Sequence, residues 1–129
     1  MEALADTNTL GYYPWVLEDN SIIIKPILEA VLSDLENNMT QPVIAGRFHN
    51  TIAQLSLTIA NRLKENRRID HMVLSGGVWQ NQLLLEKTTA LLESCGITPL
   101  VHKQIAPNDE CVSFGQAMIT AYRFMQKKD

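Results

Sequence analysis

Hydrophobic and polar positions form two kinds of pattern along the first half of the chain. Aromatic and β-branched residues stand on both sides of a Glu-Asp-Asn segment, which predicts a β-hairpin with strands at residues 12–17 and 21–24. Apolar residues then recur at every third or fourth position, and this spacing predicts helices over residues 26–36 and 42–65. Residues 1–66 are therefore predicted to form a hairpin followed by two helices.

The second half, residues 67–129, follows a different order of elements. An apolar run at residues 69–74 is too short for a helix and ends at a Ser-Gly-Gly segment, so it predicts a buried strand. The pattern then predicts a helix, a strand and a last helix, at residues 81–94, 98–102 and 112–127. Strands that alternate with helices are typical of a parallel sheet packed by helices. The chain is thus predicted to be a single α/β domain over residues 1–129.

Composition and charge restrict the classes of partner. The 129 residues are 46% hydrophobic and 19% charged, and the formal net charge is -3. This charge gives no electrostatic basis for a nucleic acid or an anionic membrane as partner. No apolar run reaches the roughly 20 residues of a membrane span. The two cysteines, Cys95 and Cys111, are far apart and predict a reduced, cytoplasmic protein without a disulfide framework.

The strongest candidate site is the turn that follows the strand at residues 69–74. Ser75, Gly76 and Gly77 lie outside the carboxyl end of a strand, where α/β sheets bind ligands. Adjacent glycines let the backbone approach a ligand, and the N-terminus of the following helix attracts anions such as nucleotide phosphates. Asn81 is predicted to reach back with its side-chain amide. A tight turn without a ligand explains the glycines equally well, since neither a dinucleotide fingerprint nor a P-loop is present.

The loop before the last predicted helix contains two adjacent carboxylates, Asp109 and Glu110. They either bind a hard cation together with phosphates, or they form a helix cap in which Asp109 supplies the capping oxygen. The local pattern alone favours the cap.

The segment 47–51, Arg-Phe-His-Asn-Thr, is the third candidate. As an ordinary helical segment it would pack Phe48 inward and leave His49 partly exposed. The chain's histidines, which include His71 and His102, lack the mutual spacing of a metal site. Neither cysteine has a basic neighbour that marks a nucleophile. The residues alone therefore indicate no complete catalytic constellation.

Three segments in this order resemble the C-terminal end of the HypF-type hydrogenase maturation carbamoyltransferases. They are residues 47–51, residues 73–81 (Val-Leu-Ser-Gly-Gly-Val-Trp-Gln-Asn), and Pro-Asn-Asp at 107–109 with Ser-Phe-Gly-Gln at 113–116. The resemblance covers nearly all the chain and is most specific at the second segment. It implies one lobe of a two-lobed nucleotide-binding domain of the actin and sugar-kinase superfamily (ASKHA), ribonuclease-H-like, with a mixed sheet packed by helices.

The resemblance also implies an activity. Members of this family use ATP and carbamoyl phosphate to form a carbamoyl-adenylate, and they pass the carbamoyl group to a C-terminal cysteine of HypE during maturation of nickel–iron hydrogenase. By the same resemblance, Ser75, Gly76, Gly77 and Asn81 would contact the nucleotide. Asp109 would bind the divalent metal ion that bridges the nucleotide phosphates. No residue is implied as catalytic.

Two departures from the family pattern affect these expectations. Glu110 and Cys111 stand where the family usually has two glycines, which adds negative charge near the phosphates. The phosphate loops and paired metal-binding histidines of the preceding lobe are not in this segment, and the opening Met-Glu-Ala-Leu-Ala reads as the end of a helix. We therefore expect an inactive fragment whose partners are the preceding lobe, the upstream domains and a HypE-type acceptor. Its apolar lobe-facing surface would favour self-association.

Two alternative functions stay open. The TsaD-type tRNA threonylcarbamoyl transferases share the Ser-Gly-Gly-Val turn, although Gln80 and the Gly115-Gln116 pair fit the HypF pattern better. The second alternative is a non-catalytic module that binds a nucleotide or another protein.

Overall fold

The computed structural model describes residues 2–19, 21–103 and 110–126. In chain order its elements are a 3-10 turn (Glu2–Leu4), the strands β1 (Val16–Glu18) and β2 (Ser21–Ile23), the helices α1 (Lys25–Glu36) and α2 (Gln41–Arg67), the strand β3 (His71–Leu74), a 3-10 turn (Gly77–Gln80), the helix α3 (Gln82–Ser94), the strand β4 (Thr98–Val101) and the helix α4 (Glu110–Gln126). The type and order of the predicted helices and strands are thus confirmed. Asn20 of the predicted hairpin turn and the loop that carries Asp109 lie outside the described residues.

Local sequence sets the ends of the helices. Proline occupies the first turn of both α1 and α2, where its missing N–H costs no helical hydrogen bond. Arg68 follows α2 in the left-handed conformation with a φ of 53°, and Gly96 follows α3 with a φ of 67°. These positions end the helices close to the predicted limits.

The first hairpin strand is shorter than predicted. β1 and β2 pair antiparallel from Val16 opposite Ile23 to Glu18 opposite Ser21. Residues 12–15 lie outside the strand. Proline at position 14 has no N–H to donate, and the N–H of residue 13 donates to a side chain of α2 instead. The backbone before β1 is therefore held by α2 and not by the hairpin.

The described strands form two separate two-stranded sheets, which corrects the prediction of one mixed sheet. β1 pairs with β2 antiparallel, whereas β3 pairs with β4 in parallel, with His71 opposite Thr98 and Leu74 opposite Val101. The parallel arrangement predicted for the second half is confirmed. It places the carboxyl ends of β3 and β4 side by side at one edge of their sheet.

The core lies between α2, α3 and the β3–β4 sheet. Ala60, Leu74, Leu92 and Ile97 are at most 1% exposed. Partly buried side chains pack around them, namely Leu57, Met72, Trp79, Leu85 and Val101. Full burial of an aliphatic side chain stabilises the folded state by roughly 1.5–3 kcal/mol. This cluster therefore fixes α3 against one face of the sheet and positions the turn between β3 and α3.

The other face of the β3–β4 sheet is open in the described part of the chain, so the predicted burial of β3 is confirmed on one face only, that of Leu74. Val73 is 65% exposed, and Leu100, its partner in register, is 44% exposed. Parallel sheets normally have both faces covered. The apolar pattern of β3 thus marks a surface suited to contact with another polypeptide segment.

The helices α1 and α4 also expose apolar side chains in the described structure. The exposed set comprises Leu28, Leu32 and Leu35 of α1, and Phe114, Met118, Ile119, Tyr122, Phe124 and Met125 of α4.

None of the helices in the described ranges is long and apolar enough to cross a membrane.

Candidate functional site

Arg47 of α2 binds Asp34 of α1, and Asp34 in turn binds Tyr13 of the N-terminal segment (residues 6–13). Its Nη1 donates to both carboxylate oxygens of Asp34, at 2.9 and 2.7 Å, and the Tyr13 hydroxyl donates to the same carboxylate at 2.8 Å. Desolvation raises the pKa of Asp34, but the hydrogen bonds from Tyr13 and Arg47 and the charge of Arg47 outweigh it, so the pKa is lowered overall. Burial, reinforced by Asp34, raises the pKa of the Tyr13 hydroxyl. The network therefore holds a carboxylate that keeps its charge.

Asn50 and Thr51 hold the N-terminal segment against α2. Asn50 Nδ2 donates to the carbonyl oxygens of Thr9 and Gly11, at 2.9 Å each. The Thr51 hydroxyl is fully buried; it donates to a backbone carbonyl one turn earlier and accepts the N–H of Tyr13 at 2.8 Å. The side chains of Arg47, Asn50 and Thr51 thus support the fold by holding the residues before β1 against α2.

Gly46 allows the N-terminal segment to cross α2 at close range. A Cβ atom at this position would lie 2.6 Å from the Asp6 carbonyl oxygen and 2.7 Å from Thr9 Cβ. Both distances are far below the separation of favourable van der Waals contact. The close crossing therefore requires glycine, although glycine weakens the interior of a helix.

His49 is buried, contrary to the expectation of a partly exposed side chain, and it links α2 to the start of α3. It is 3% exposed, its Nδ1 lies 2.7 Å from the Ala45 carbonyl oxygen, and its Nε2 lies 2.8 Å from Asn81 Nδ2. A carbonyl oxygen only accepts, so Nδ1 donates and the neutral ring accepts at Nε2. No local pattern marks this contact, because the two partners are 32 positions apart.

Asn81 precedes α3, and its amide has two partners. Oδ1 accepts the Leu84 N–H at 2.8 Å as an N-terminal cap, and Nδ2 donates to His49. The 3-10 turn Gly77–Gln80 lies between Gly76 and α3, and α3 begins at Gln82, one residue after the predicted start at residue 81. An amide nitrogen carries two N–H bonds, so one can serve His49 and the other a ligand. The role of Asn81 as a nucleotide contact stays a prediction.

The two glycines of the turn serve different purposes. Gly76 has a φ of 109° and a ψ of 159°, a conformation that is essentially restricted to glycine. Gly77 lies outside the left-handed region, and a Cβ there would meet nothing within 4 Å in the described structure. Gly76 thus shapes the turn, whereas the fold does not require glycine at Gly77. A missing side chain at this exposed position lets a ligand contact the backbone.

Ser75 and His102 meet at the carboxyl edge of the β3–β4 sheet. Each residue follows the end of its strand, and Ser75 Oγ lies 3.1 Å from His102 Nε2. Both side chains are exposed. Ser75 follows from the sequence pattern, but His102 does not. The predicted parallel order of the strands could have indicated His102, because residues that follow neighbouring parallel strands lie at the same edge of the sheet.

A small cavity lies between α2 and the start of α3, next to the candidate turn. Its volume is about 280 Å³, and its lining residues are Phe48, His49, Ile52, Val78, Asn81 and Leu84. Phe48, predicted to pack inward, is half-buried along this cavity. The lining is mostly apolar, with His49 and Asn81 as its polar members.

The predicted metal ligand Asp109 lies outside the described residues. Within residues 2–19, 21–103 and 110–126, no three His, Cys, Asp or Glu side chains are grouped to hold a metal ion. His71, at the amino end of β3, contacts Asp70 at 2.5 Å, and this hydrogen bond lowers the pKa of Asp70. The contacts of His49, His71 and His102 thus lie in three different places: with Ala45 and Asn81, with Asp70, and with Ser75.

Sequence comparison identifies relatives of this chain. A family model described as the second subdomain of the Kae1-like domain of a carbamoyltransferase matches residues 1–116. The chain is also 31% identical over 114 residues to the carbamoyltransferase HypF of Synechocystis sp.. This alignment covers 85% of the chain and 14% of that protein.

Solved structures of HypF have the same fold. The crystal structure of full-length HypF in its phosphate- and nucleotide-bound form matches 92% of this chain with a TM-score of 0.82 and 30% identity. The crystal structure of HypF from T. kodakarensis matches 97% with a TM-score of 0.75 and 19% identity, which shows likeness of fold alone. The chain spans 16% of each. The chain belongs to the HypF carbamoyltransferase family, in which it corresponds to the second subdomain of the Kae1-like domain.

Proposed function

We propose that this chain is the nucleotide-binding part of a longer carbamoyltransferase. In that enzyme, ATP and carbamoyl phosphate form a carbamoyl-adenylate, and the carbamoyl group passes to the C-terminal cysteine of a HypE-type acceptor during maturation of nickel–iron hydrogenase. Family membership supports the transfer of a carbamoyl group. Because the chain spans only 14% of its Synechocystis relative, the reaction is proposed for the longer protein, and we expect the chain alone to be inactive.

The turn of Ser75, Gly76 and Gly77 is the observation that carries the nucleotide proposal. The turn lies at the edge where α/β sheets bind ligands. Among the described residues, no atom lies within 4 Å of the side-chain position of Gly77, and a glycine there supports close approach of a ligand to the backbone. A HypF structure that resembles this chain is described as nucleotide-bound. We therefore propose ATP as the ligand, with the second N–H of the Asn81 amide as a further contact.

The helix dipole contributes less to this site than the sequence indicated. The 3-10 turn, which begins at Gly77, separates α3 from Gly76, and Asn81 already satisfies the Leu84 N–H of the first helical turn. Backbone access at the glycines is therefore the main physical basis for holding the phosphates or the ribose.

The proposed architecture is one lobe of an actin and sugar-kinase (ASKHA) domain, ribonuclease-H-like. The parallel β3–β4 unit with α3 on one face supports this assignment. The open sheet face supports contact with the preceding lobe and upstream domains of a longer protein. Both cysteines are free, which agrees with the proposed cytoplasmic location.

A divalent metal ion is proposed to accompany the nucleotide, with Asp109 as the ligand from this chain. A carboxylate is a suitable ligand for a hard cation. Asp109 comes after β4 in the sequence, and the carboxyl end of β4 borders the candidate turn. The remaining ligands are proposed to come from the nucleotide phosphates and the preceding lobe.

Two assays separate binding from catalysis. A calorimetric titration of this chain with ATP and Mg²⁺ is expected to show weak binding that decreases when EDTA replaces the metal. Carbamoyl-phosphate-dependent exchange between ATP and pyrophosphate is expected only for the longer protein. Clear exchange by this chain alone, or no detectable binding of ATP, would contradict the proposal.

A further inference from the structure

We infer that His102 is a further residue of the nucleotide site and that it orients the Ser75 hydroxyl toward the ligand. The inference rests on the nucleotide site proposed above and adds a residue from the neighbouring strand. Leu74 pairs with Val101, so Ser75 and His102 leave the sheet at the same level. Their side chains meet with 3.1 Å between Oγ and Nε2 although they are 27 positions apart in the sequence.

The hydrogen-bond chemistry of this pair decides what Ser75 offers to a ligand. A serine hydroxyl has one proton and can donate and accept at the same time. The phosphate oxygens of a nucleotide accept, so Ser75 needs its own proton to bind them. When His102 donates Nε2–H to the serine oxygen, the hydroxyl proton stays available for the ligand. Ser75 is then the contact residue, and His102 is a positioning residue that acts through it.

Because the Ser75–His102 pair is exposed to solvent, its hydrogen bond is better suited to binding a ligand than to stabilising the fold. Ser75 and His102 are both exposed, and water replaces an exposed hydrogen bond at little cost in free energy. Among residues 2–19, 21–103 and 110–126, nothing lies within 4 Å of the side-chain position of Gly77, which leaves room for a ligand beside Ser75. Loss of the pair is therefore expected to affect binding of a ligand more than stability of the fold.

The test compares the ATP affinity of variants of this chain by calorimetry in the presence of Mg²⁺. We expect His102→Ala and Ser75→Ala each to weaken binding by roughly 3- to 10-fold, the range of one hydrogen bond. The double variant is expected to bind no more weakly than Ser75→Ala, since His102 acts through Ser75. His102→Gln keeps a side-chain N–H donor and is expected to restore most of the affinity. The midpoints of thermal unfolding should stay at the wild-type value.

The outcomes distinguish the inference from the proposed site itself. Wild-type affinity in His102→Ala, additive losses in the double variant, or no recovery in His102→Gln would overturn the role of His102. Gly77→Val is the reference, because it changes the turn without touching the pair. If Gly77→Val weakens binding and His102→Ala does not, only the inference fails. If wild type does not bind ATP, or Gly77→Val leaves binding unchanged, both fail.

Discussion

At Gly46, the absence of one methyl group lets the N-terminal segment cross α2. An added Cβ would lie 2.6 Å from the Asp6 carbonyl oxygen, a backbone atom that moves only with its segment. We expect Gly46→Ala to lower the free energy of unfolding by about 1–3 kcal/mol, even though alanine favours the helix. Urea denaturation measures this change.

Gly115 in α4 provides the matched control. A Cβ there meets nothing within 4 Å in the described structure, so Gly115→Ala is expected to leave the free energy of unfolding unchanged or to raise it by up to about 1 kcal/mol. A neutral Gly46→Ala, or equal losses at both positions, would contradict the close crossing.

Asp34 is expected to make the stability depend on pH. Desolvation raises its pKa, but Tyr13 and Arg47 outweigh this effect, so the folded-state pKa lies below the unfolded value. Such a carboxylate contributes stability that is present above its unfolded pKa of about 3.9 and is lost as the pH falls through the folded-state pKa. We expect Asp34→Asn to lower the free energy of unfolding by about 1–3 kcal/mol at pH 7, with a smaller difference from wild type below about pH 4.

Glu29→Gln is the control for this prediction, since Glu29 is an exposed carboxylate of the same helix. Its effect on the free energy of unfolding is expected to stay within about 0.5 kcal/mol at neutral pH. Denaturation at neutral and acidic pH gives both differences. A difference between wild type and Asp34→Asn that grows on acidification would refute the assigned role of the network.

At the scale of elements, Asn81 joins α2, the candidate turn and α3. Asn81→Ala removes the helix cap and leaves Nε2 of the buried His49 without its donor. We expect a loss of about 1–3 kcal/mol in the free energy of unfolding. Asn81→Ser keeps a capping oxygen, so it is expected to lose less.

A double-mutant cycle with His49→Leu tests the bond between α2 and α3. Because Asn81 and His49 are in direct contact, the effects of Asn81→Ala and His49→Leu are expected to depart from additivity by more than about 0.5 kcal/mol. Additive effects would mean that the two side chains stabilise the chain independently.

The types of the elements could be predicted from the sequence because periodicity and helix ends are local properties. The pairing of the strands could not be predicted, since the apolar runs at residues 69–74 and 98–102 indicate strands but not which strand each one pairs with. The family resemblance implies one mixed sheet, whereas two separate sheets are described. The environment of Val73 could not be predicted for the same reason. An apolar residue indicates a surface suited to burial, but it does not indicate which segment covers that surface.

The candidate turn could be predicted because a Gly-Gly pair after a short apolar run is a local pattern. The contacts of His49 with Asn81 and of His102 with Ser75 could not, because the partners are 32 and 27 positions apart. Only the fold brings them together. Asp109 stays a prediction.

At the scale of the whole molecule, exposed apolar surface predicts self-association of the chain. The open sheet face and the helices α1 and α4 present large apolar side chains to solvent, and contiguous patches of this kind mark contact surfaces. We expect concentration-dependent association in sedimentation velocity experiments. Replacement of Leu28 and Leu32 by lysine should weaken it, whereas Lys25→Gln in the same helix should not. A chain that stays monomeric at every soluble concentration would argue against this expectation.

The central claim is that the turn of Ser75, Gly76 and Gly77 binds a nucleotide. The most direct measurement is the ATP affinity of Gly77→Val, with Mg²⁺ present and thermal unfolding recorded in parallel. A Cβ at this position meets nothing within 4 Å in the described part of the chain, so the valine is expected to leave the fold intact and to obstruct the ligand. Thr98→Val, at the amino end of β4, is the control at the opposite edge of the sheet.

We expect Gly77→Val to weaken ATP binding at least tenfold, equivalent to about 1.4 kcal/mol, while Thr98→Val binds ATP as wild type does and both variants unfold at the wild-type temperature. Wild-type ATP affinity in Gly77→Val would contradict the claim.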